Sequence, residues 1–297
     1  MAAEPRTQPS ASALNVARCR AIAAHESREE IKGPDHLAEL FLSLPERLSL
    51  TNPAVFPLIL RKLNDVSPGG YEYFIARTAY FDAVVKQALH DHIPQIVLIG
   101  AGYDTRAYRF ADLLGGTRVF ELDDPFTQAH KRGLLSEAGV AIPPQLTYVG
   151  LDLARVQLAD ALIAAGYAPE HRALFIWEGV TYYLAPEAVD RTLAAIRDHA
   201  LAGSIVGFDY MLPESQLEGR YGAQQSRAAM GAMYGDEPLQ FDLDEAQIEA
   251  FLQQRGYTLI EHLNARQLEA CYLTLQDQTL AGKVLDLFRI VQAGVAG

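Results

Sequence analysis

Three acidic residues stand where apolar, β-branched runs stop: Asp123 after Arg118–Leu122, Asp152 after Leu146–Val149, and Glu178 after Ala173–Trp177. A carboxylate at the end of a buried strand is costly unless a cation or several hydrogen-bond donors meet it. Upstream, the run Gln95–Ile99 enters Gly100-Ala101-Gly102, and Tyr103-Asp104-Thr105-Arg106 follows. Glycines after a strand let a ligand lie directly on the backbone, where a Cβ would block it. A G-x-G after a strand also arises in ordinary tight turns, so the loop alone specifies little. Its neighbours sharpen it.

The third glycine of the dinucleotide fingerprint, which admits a pyrophosphate against a helix, is Thr105 here. That disfavours NAD and suits a nucleoside without a pyrophosphate. Asp123 lies about twenty residues past the loop, the spacing that sets a carboxylate on ribose hydroxyls. Glu121, two residues earlier on the same side of the strand, is the alternative; Asp123 is nearer the carboxyl end and is preferred. Asp152 can accept an adenine amino group while the backbone N–H of Leu153 meets a ring nitrogen. An aspartate capping the next helix is the competing reading. Glu178 asks for a cation, which a ligand with an ammonium and a sulfonium, such as S-adenosylmethionine, would provide; a protein arginine is the alternative.

The elements that must hold these residues follow from the pattern. Residues 13–25, 34–44, 53–63 and 71–90 read as helices, the last two separated by the turn Ser67-Pro68-Gly69-Gly70. Five strands then alternate with helices, which specifies a doubly wound, mostly parallel sheet. Beyond Phe241 the pattern predicts a helix over 244–255 and strands near 257–262 and 270–274, paired as an antiparallel edge hairpin, then a C-terminal helical segment. The expected organisation is a helical cap over 1–92 and an α/β core over 93–297. An insert at about 213–239, after the fifth strand, sits where open sheets bind ligands, so it reads either as a substrate cover or as a surface excursion.

Composition narrows the classes. The 297 residues carry a formal charge of −12 and are 49% hydrophobic, so a sizeable core is available and a phosphate backbone would be repelled. Apolar stretches break within about ten residues, short of the roughly 20 that span a membrane. The two cysteines, Cys19 and Cys271, form neither a disulfide framework nor a zinc site. A cytoplasmic protein, without metal, nucleic-acid or membrane partner, is expected.

At these residues the chain resembles the leucine carboxyl methyltransferase family. The likeness runs through Ile75-Ala76-Arg77-Thr78, Gly100-Ala101-Gly102-Tyr103-Asp104-Thr105-Arg106 and Phe120-Glu121-Leu122-Asp123 with Pro125, then Leu151-Asp152-Leu153 and Trp177-Glu178-Gly179-Val180-Thr181-Tyr182-Tyr183-Leu184. It implies a seven-stranded class I methyltransferase core under a helical cap, with S-adenosyl-L-methionine as cofactor. By motif position it implies Arg77 on the methionyl carboxylate, Gly100 under the cofactor, Asp123 on the ribose, Asp152 with Leu153 on the adenine, and Glu178 at the amino-acid end. Arg20 falls near a basic position of the family's first helix, but a solvated helix face is the preferred reading.

The resemblance implies O-methylation of a carboxylate on a small molecule or peptide. Such an acceptor is ionised near neutral pH and needs no general base. A hydroxyl acceptor is the second reading, and an NAD-dependent oxidoreductase or a non-catalytic nucleoside-binding protein represent other classes. No catalytic residue is assigned. Arg106 is a candidate to receive an acceptor anion, and Tyr183 and Tyr210, near strand ends, are candidates to line its pocket.

Overall fold

The computed structural model of the chain describes residues 8–152, 158–235 and 237–296. Seven strands form one sheet: β1 (Gln95–Ile99), β2 (Arg118–Asp123), β3 (Leu146–Gly150), β4 (Ala173–Trp177), β5 (Ile205–Met211), β6 (Tyr257–Leu263) and β7 (Phe288–Val295). Their order is 3-2-1-4-5-7-6. The first five are parallel, and β7 lies antiparallel between β5 and β6. Every residue of β1 and β4 is buried, as covering by helices on both faces requires. The chain runs outward from β1 through β2 to β3, then returns to β4 on the other side of β1. That reversal opens a crevice at the carboxyl ends of β1 and β4, where doubly wound sheets bind ligands.

The first helices are α1 (Ala11–Ala24), α2 (Leu44–Leu50), α3 (Phe56–Val66) and α4 (Gly70–His90). α1 is capped by the Ser10 side chain, which accepts the Ala13 N–H. The expected helix over 34–44 is instead a single 3₁₀ turn, Ala38–Phe41, and α2 begins only at Leu44. Ser43 and Glu46 form a capping box there, with Pro45 in the first turn, so the new start outcompetes continuation. α4 reaches the sheet itself. Gly207 on β5 leaves room for the Phe81 ring, which a Cβ would approach to 3.2 Å.

The remaining helices are α5 (Arg106–Arg109), α6 (Pro125–Glu137), α7 (Leu158–Ala164), α8 (Pro186–His199), α9 (Ala223–Met233), α10 (Ile248–Gln253) and α11 (Ala265–Tyr272). Two expectations near the C-terminus fail. Residues 270–274, expected as a strand, lie largely in α11, which Asn264 and Gln267 start with a reciprocal capping box. The expected C-terminal helix is strand β7, whose Arg289-Ile290-Val291-Gln292 segment is inserted between two strands and almost wholly buried. The antiparallel edge exists, but its partners are β6 and β7 rather than two adjacent segments.

The insert over 213–239 holds α9 and docks on the turn before α4. Gly222 has φ +68°, and a Cβ there would lie 2.1 Å from the Pro68 carbonyl oxygen. The Ser67 and Ser226 hydroxyls are 2.7 Å apart. No helix among the described residues is long and apolar enough to cross a membrane.

Candidate active site

At the crevice lies a cavity of about 990 Å³, walled on one side by strand ends and on the others by α1, α3, α4 and α9. Gly100, Ala101 and Gly102 line it after β1, Asp123 after β2, Asp152 after β3 and Glu178 after β4. Arg77 from α4 and Tyr183 also line it. The parallel register is what gathers them: strands β1 to β4 end side by side, so residues far apart in sequence share one rim. Leu153 lies outside the described residues.

The glycine loop is built for close approach. Gly100 and Gly102 have φ of +66° and +51°, conformations that other L-residues rarely adopt. A Cβ on Gly100 would sit 2.5 Å from Val180 Cγ2. Asp123 Oδ2 accepts the Gly102 N–H, and Oδ1 accepts the Asp124 N–H at 2.6 Å. The loop and the second strand end are thus tied by one carboxylate. Glu121 does not take this place: it is buried against the Lys131 ammonium at 2.5 Å and is absent from the cavity wall.

Glu178 finds its cations within the protein. Its Oε1 lies 2.9 Å from Arg77 Nε and its Oε2 2.7 Å from Arg106 Nη1. Arg77 also pairs with Asp209 at 2.9 Å, and the Tyr73 hydroxyl donates to the same aspartate oxygen. Burial alone would disfavour the Arg77 charge, but Asp209 and Glu178 hold its pKa well above the ordinary arginine value. Arg106 also pairs with Asp104, and through Asp82 the pairing continues to Arg109, then through Asp35 to Arg20. This buried chain joins four arginines to five carboxylates, one negative charge in excess. An excess of that sign suits a cationic ligand on the cavity side.

Two expected acceptor residues are elsewhere. Arg106 is 3% exposed, paired with three carboxylates and not on the cavity wall. Tyr210 is fully buried and bonds His262 across the sheet edge at 3.0 Å. Alternation along β5 explains it: Asp209 faces α4, so Tyr210 faces the opposite side. Arg20, expected on a solvated helix face, is buried, lines the cavity, and donates to the Tyr103 carbonyl oxygen at 2.6 Å. Apolar residues ring α1 nearly evenly, so the sequence does not say which face turns inward.

Asp209 is the residue sequence reasoning missed. Its signal was present, a carboxylate inside the otherwise apolar run Ile205–Met211. The same argument that singled out Glu178 applies to it.

Two acidic members of the network, Asp104 and Asp82, make an acid-dependent contribution to stability. Burial by itself would raise the Asp104 carboxyl, but Arg106, Arg20 and Lys131 outweigh it and hold it at about 2. Asp82 is likewise lowered, its burial outweighed by Arg106 and Arg109. In the unfolded chain an aspartate titrates near 3.9, so this stability is complete above about pH 4 and is lost as the pH falls toward 2. For Asp104 the difference is on the order of 2 kcal/mol. Urea midpoints of the wild type and Asp104→Asn should therefore differ at pH 6 and converge as the pH falls through that window. A gap independent of pH would show that the pairing does not act through ionisation.

The geometry fits S-adenosylmethionine on its donor set: an oriented carboxylate beside a glycine loop, acidic groups at two further strand ends, and a buried arginine beside them. The fold and this site, with the comparisons below, define a class I methyltransferase dependent on S-adenosylmethionine. The chain belongs to the leucine carboxyl methyltransferase family, whose model matches residues 13–197. A relative from Mycobacterium avium (strain 104), named as a candidate S-adenosyl-L-methionine-dependent methyltransferase, is 31% identical over 268 residues, 86% of this chain and 83% of the relative. YktD of Bacillus subtilis (strain 168), named in the same way, is 28% identical over 209 residues, 70% of this chain and 68% of its own. Among solved structures, a candidate methyltransferase from Thermobifida fusca YX matches with a TM-score of 0.61 at 17% identity, covering 98% of this chain and 96% of that one. That likeness concerns the fold.

Proposed function

We propose that this enzyme is an O-methyltransferase acting on the carboxylate of an acceptor held in this cavity. In this reading Asp123 binds the ribose, Asp152 and Leu153 the adenine, and Arg77 with Glu178 the methionyl end. S-adenosylmethionine, when bound, supplies the electrophilic methyl group. The observation that carries the reading is the meeting of Gly100–Gly102, Asp123, Asp152 and Glu178, after four strand ends, with Arg77 of α4 in the wall of one cavity. The opposite walls come from α1, α3 and the 213–239 insert, which supports a cover role for residues 1–92 and for the insert.

The protein's task is then alignment. Holding an ionised acceptor against a fixed methyl donor removes translational and rotational freedom, and such orientation can account for most of the rate gain. The segment before α1 is tied to the insert and to α6 beside the cavity. The Ser10 hydroxyl donates to Glu237 at 2.9 Å, the Ser12 hydroxyl donates to the same carboxylate, and the Ser10 N–H donates to the Thr127 hydroxyl. A hydroxyl acceptor is the second reading, favoured by Glu237, a buried carboxylate on the cavity wall of the kind that takes up such a proton.

Calorimetric titration with S-adenosylmethionine, S-adenosylhomocysteine and NAD tests the cofactor assignment. The two sulfur nucleosides should bind and NAD should not. Asp123→Ala should weaken both nucleosides by about 100-fold, since it removes a charged hydrogen-bond acceptor for two hydroxyls. Unchanged affinity in the variant would remove Asp123 from the site. A kcat that is flat with pH above the acceptor's own pKa supports the carboxylate; an acid limb, set by protonation of a base and lost in Glu237→Gln, supports the hydroxyl.

A further inference from the structure

α3 is strongly amphipathic yet none of its residues is fully buried. By contrast α8, also amphipathic, buries Val189, Leu193 and Ile196 against its neighbours. An apolar helix stripe normally packs on a core. Ile59 and Leu63 of α3 are only half-buried against the core, and with Val66 at helical spacing they line the cavity. Met230 and Met233 of α9 and Phe74 of α4 line the same cavity. Methionines suit a wall that must fit apolar shapes of varied outline. The cavity's volume of about 990 Å³ is at the upper end for one drug-sized ligand, near 300–1,000 Å³, so it has room beyond a nucleoside.

We infer that the methyl acceptor carries an apolar body larger than an amino-acid side chain, which lies between α3 and α9 and completes the burial of the α3 stripe. This rests on the cavity being the methyl-transfer site. The acceptor's reacting oxygen then points to the strand ends and its apolar body to the helices. A straight hydrocarbon chain and a fused aromatic body share this chemistry.

The test is calorimetric titration of the full chain with alkanoic acids from hexanoic to tetradecanoic and with benzoic, naphthoic and anthracene carboxylic acids. Each series is run with and without S-adenosylhomocysteine. Affinity should rise with size in at least one series, about three- to fourfold per buried methylene for the chains. The series that rises tells chain from ring. Ile59→Trp and Met230→Trp, which fill the space, should cap the rise at a smaller member, and circular dichroism melts establish that they fold. Affinity independent of size in both series would overturn the inference. Failure of S-adenosylhomocysteine to bind would instead overturn the functional reading, and the size dependence would be read separately.

Discussion

Arg77→Met should remove cofactor binding and lower stability by about 3–5 kcal/mol, the loss found when one partner of a buried ion pair is deleted. The reason is local charge. Arg77 is 2% exposed and lies between Glu178 and Asp209, which are 9% and 0% exposed. With methionine in its place, Asp209 keeps the Tyr73 hydroxyl and the Gly179 N–H, and Glu178 keeps Arg106, but the buried chain gains a second uncompensated negative charge. Arg77→Lys separates folding from binding. It restores a charge but not the planar fork that meets two carboxylates at once, so most stability should return while S-adenosylhomocysteine affinity stays depressed by tenfold or more, an order-of-magnitude figure. Urea unfolding and calorimetry read the two effects independently. A lysine variant with wild-type affinity would mean that Arg77 acts only as a counter-ion.

Gly100→Ala should weaken S-adenosylhomocysteine by about 100-fold while costing roughly 2–3 kcal/mol of stability. Two terms contribute. A φ of +66° costs an alanine about 1–2 kcal/mol. The new Cβ would also sit 2.5 Å from Val180 Cγ2 and 3.2 Å from Cγ1, in a residue just after Glu178. Relief of that clash moves either the glycine loop or the segment carrying Glu178, and both line the cavity. Adding Val180→Ala removes the steric term and leaves the conformational one. The double variant should therefore recover part of the affinity but not all of it. Full recovery would show that backbone conformation at Gly100 is unimportant, and no recovery would show that the clash is.

The strand ends were legible because burial on both faces writes a continuous apolar run, and a carboxylate breaking it stands out. β1 and β4 fall within the expected residues for that reason. Short helices were less legible, since at Leu44 and Ala265 a capping box outweighed the hydrophobic pattern. The pattern over β7 reads as a helix because its burial comes from insertion between β5 and β6, two strands whose pairing no local signal announces.

The alternation of strands and helices from β1 to β5, the glycine loop and the acidic residues after successive strands are written in the sequence, since each rests on local backbone preference and burial. Only the tertiary structure decided how they are joined. Arg106 looked like a free cation beside a loop, yet Asp82, Asp104 and Glu178 converge on it from α4, the loop and β4. Arg20 looked solvated and is buried against Asp35. Charges select partners by distance in space, and no spacing along the chain encodes which carboxylate a folded arginine will meet.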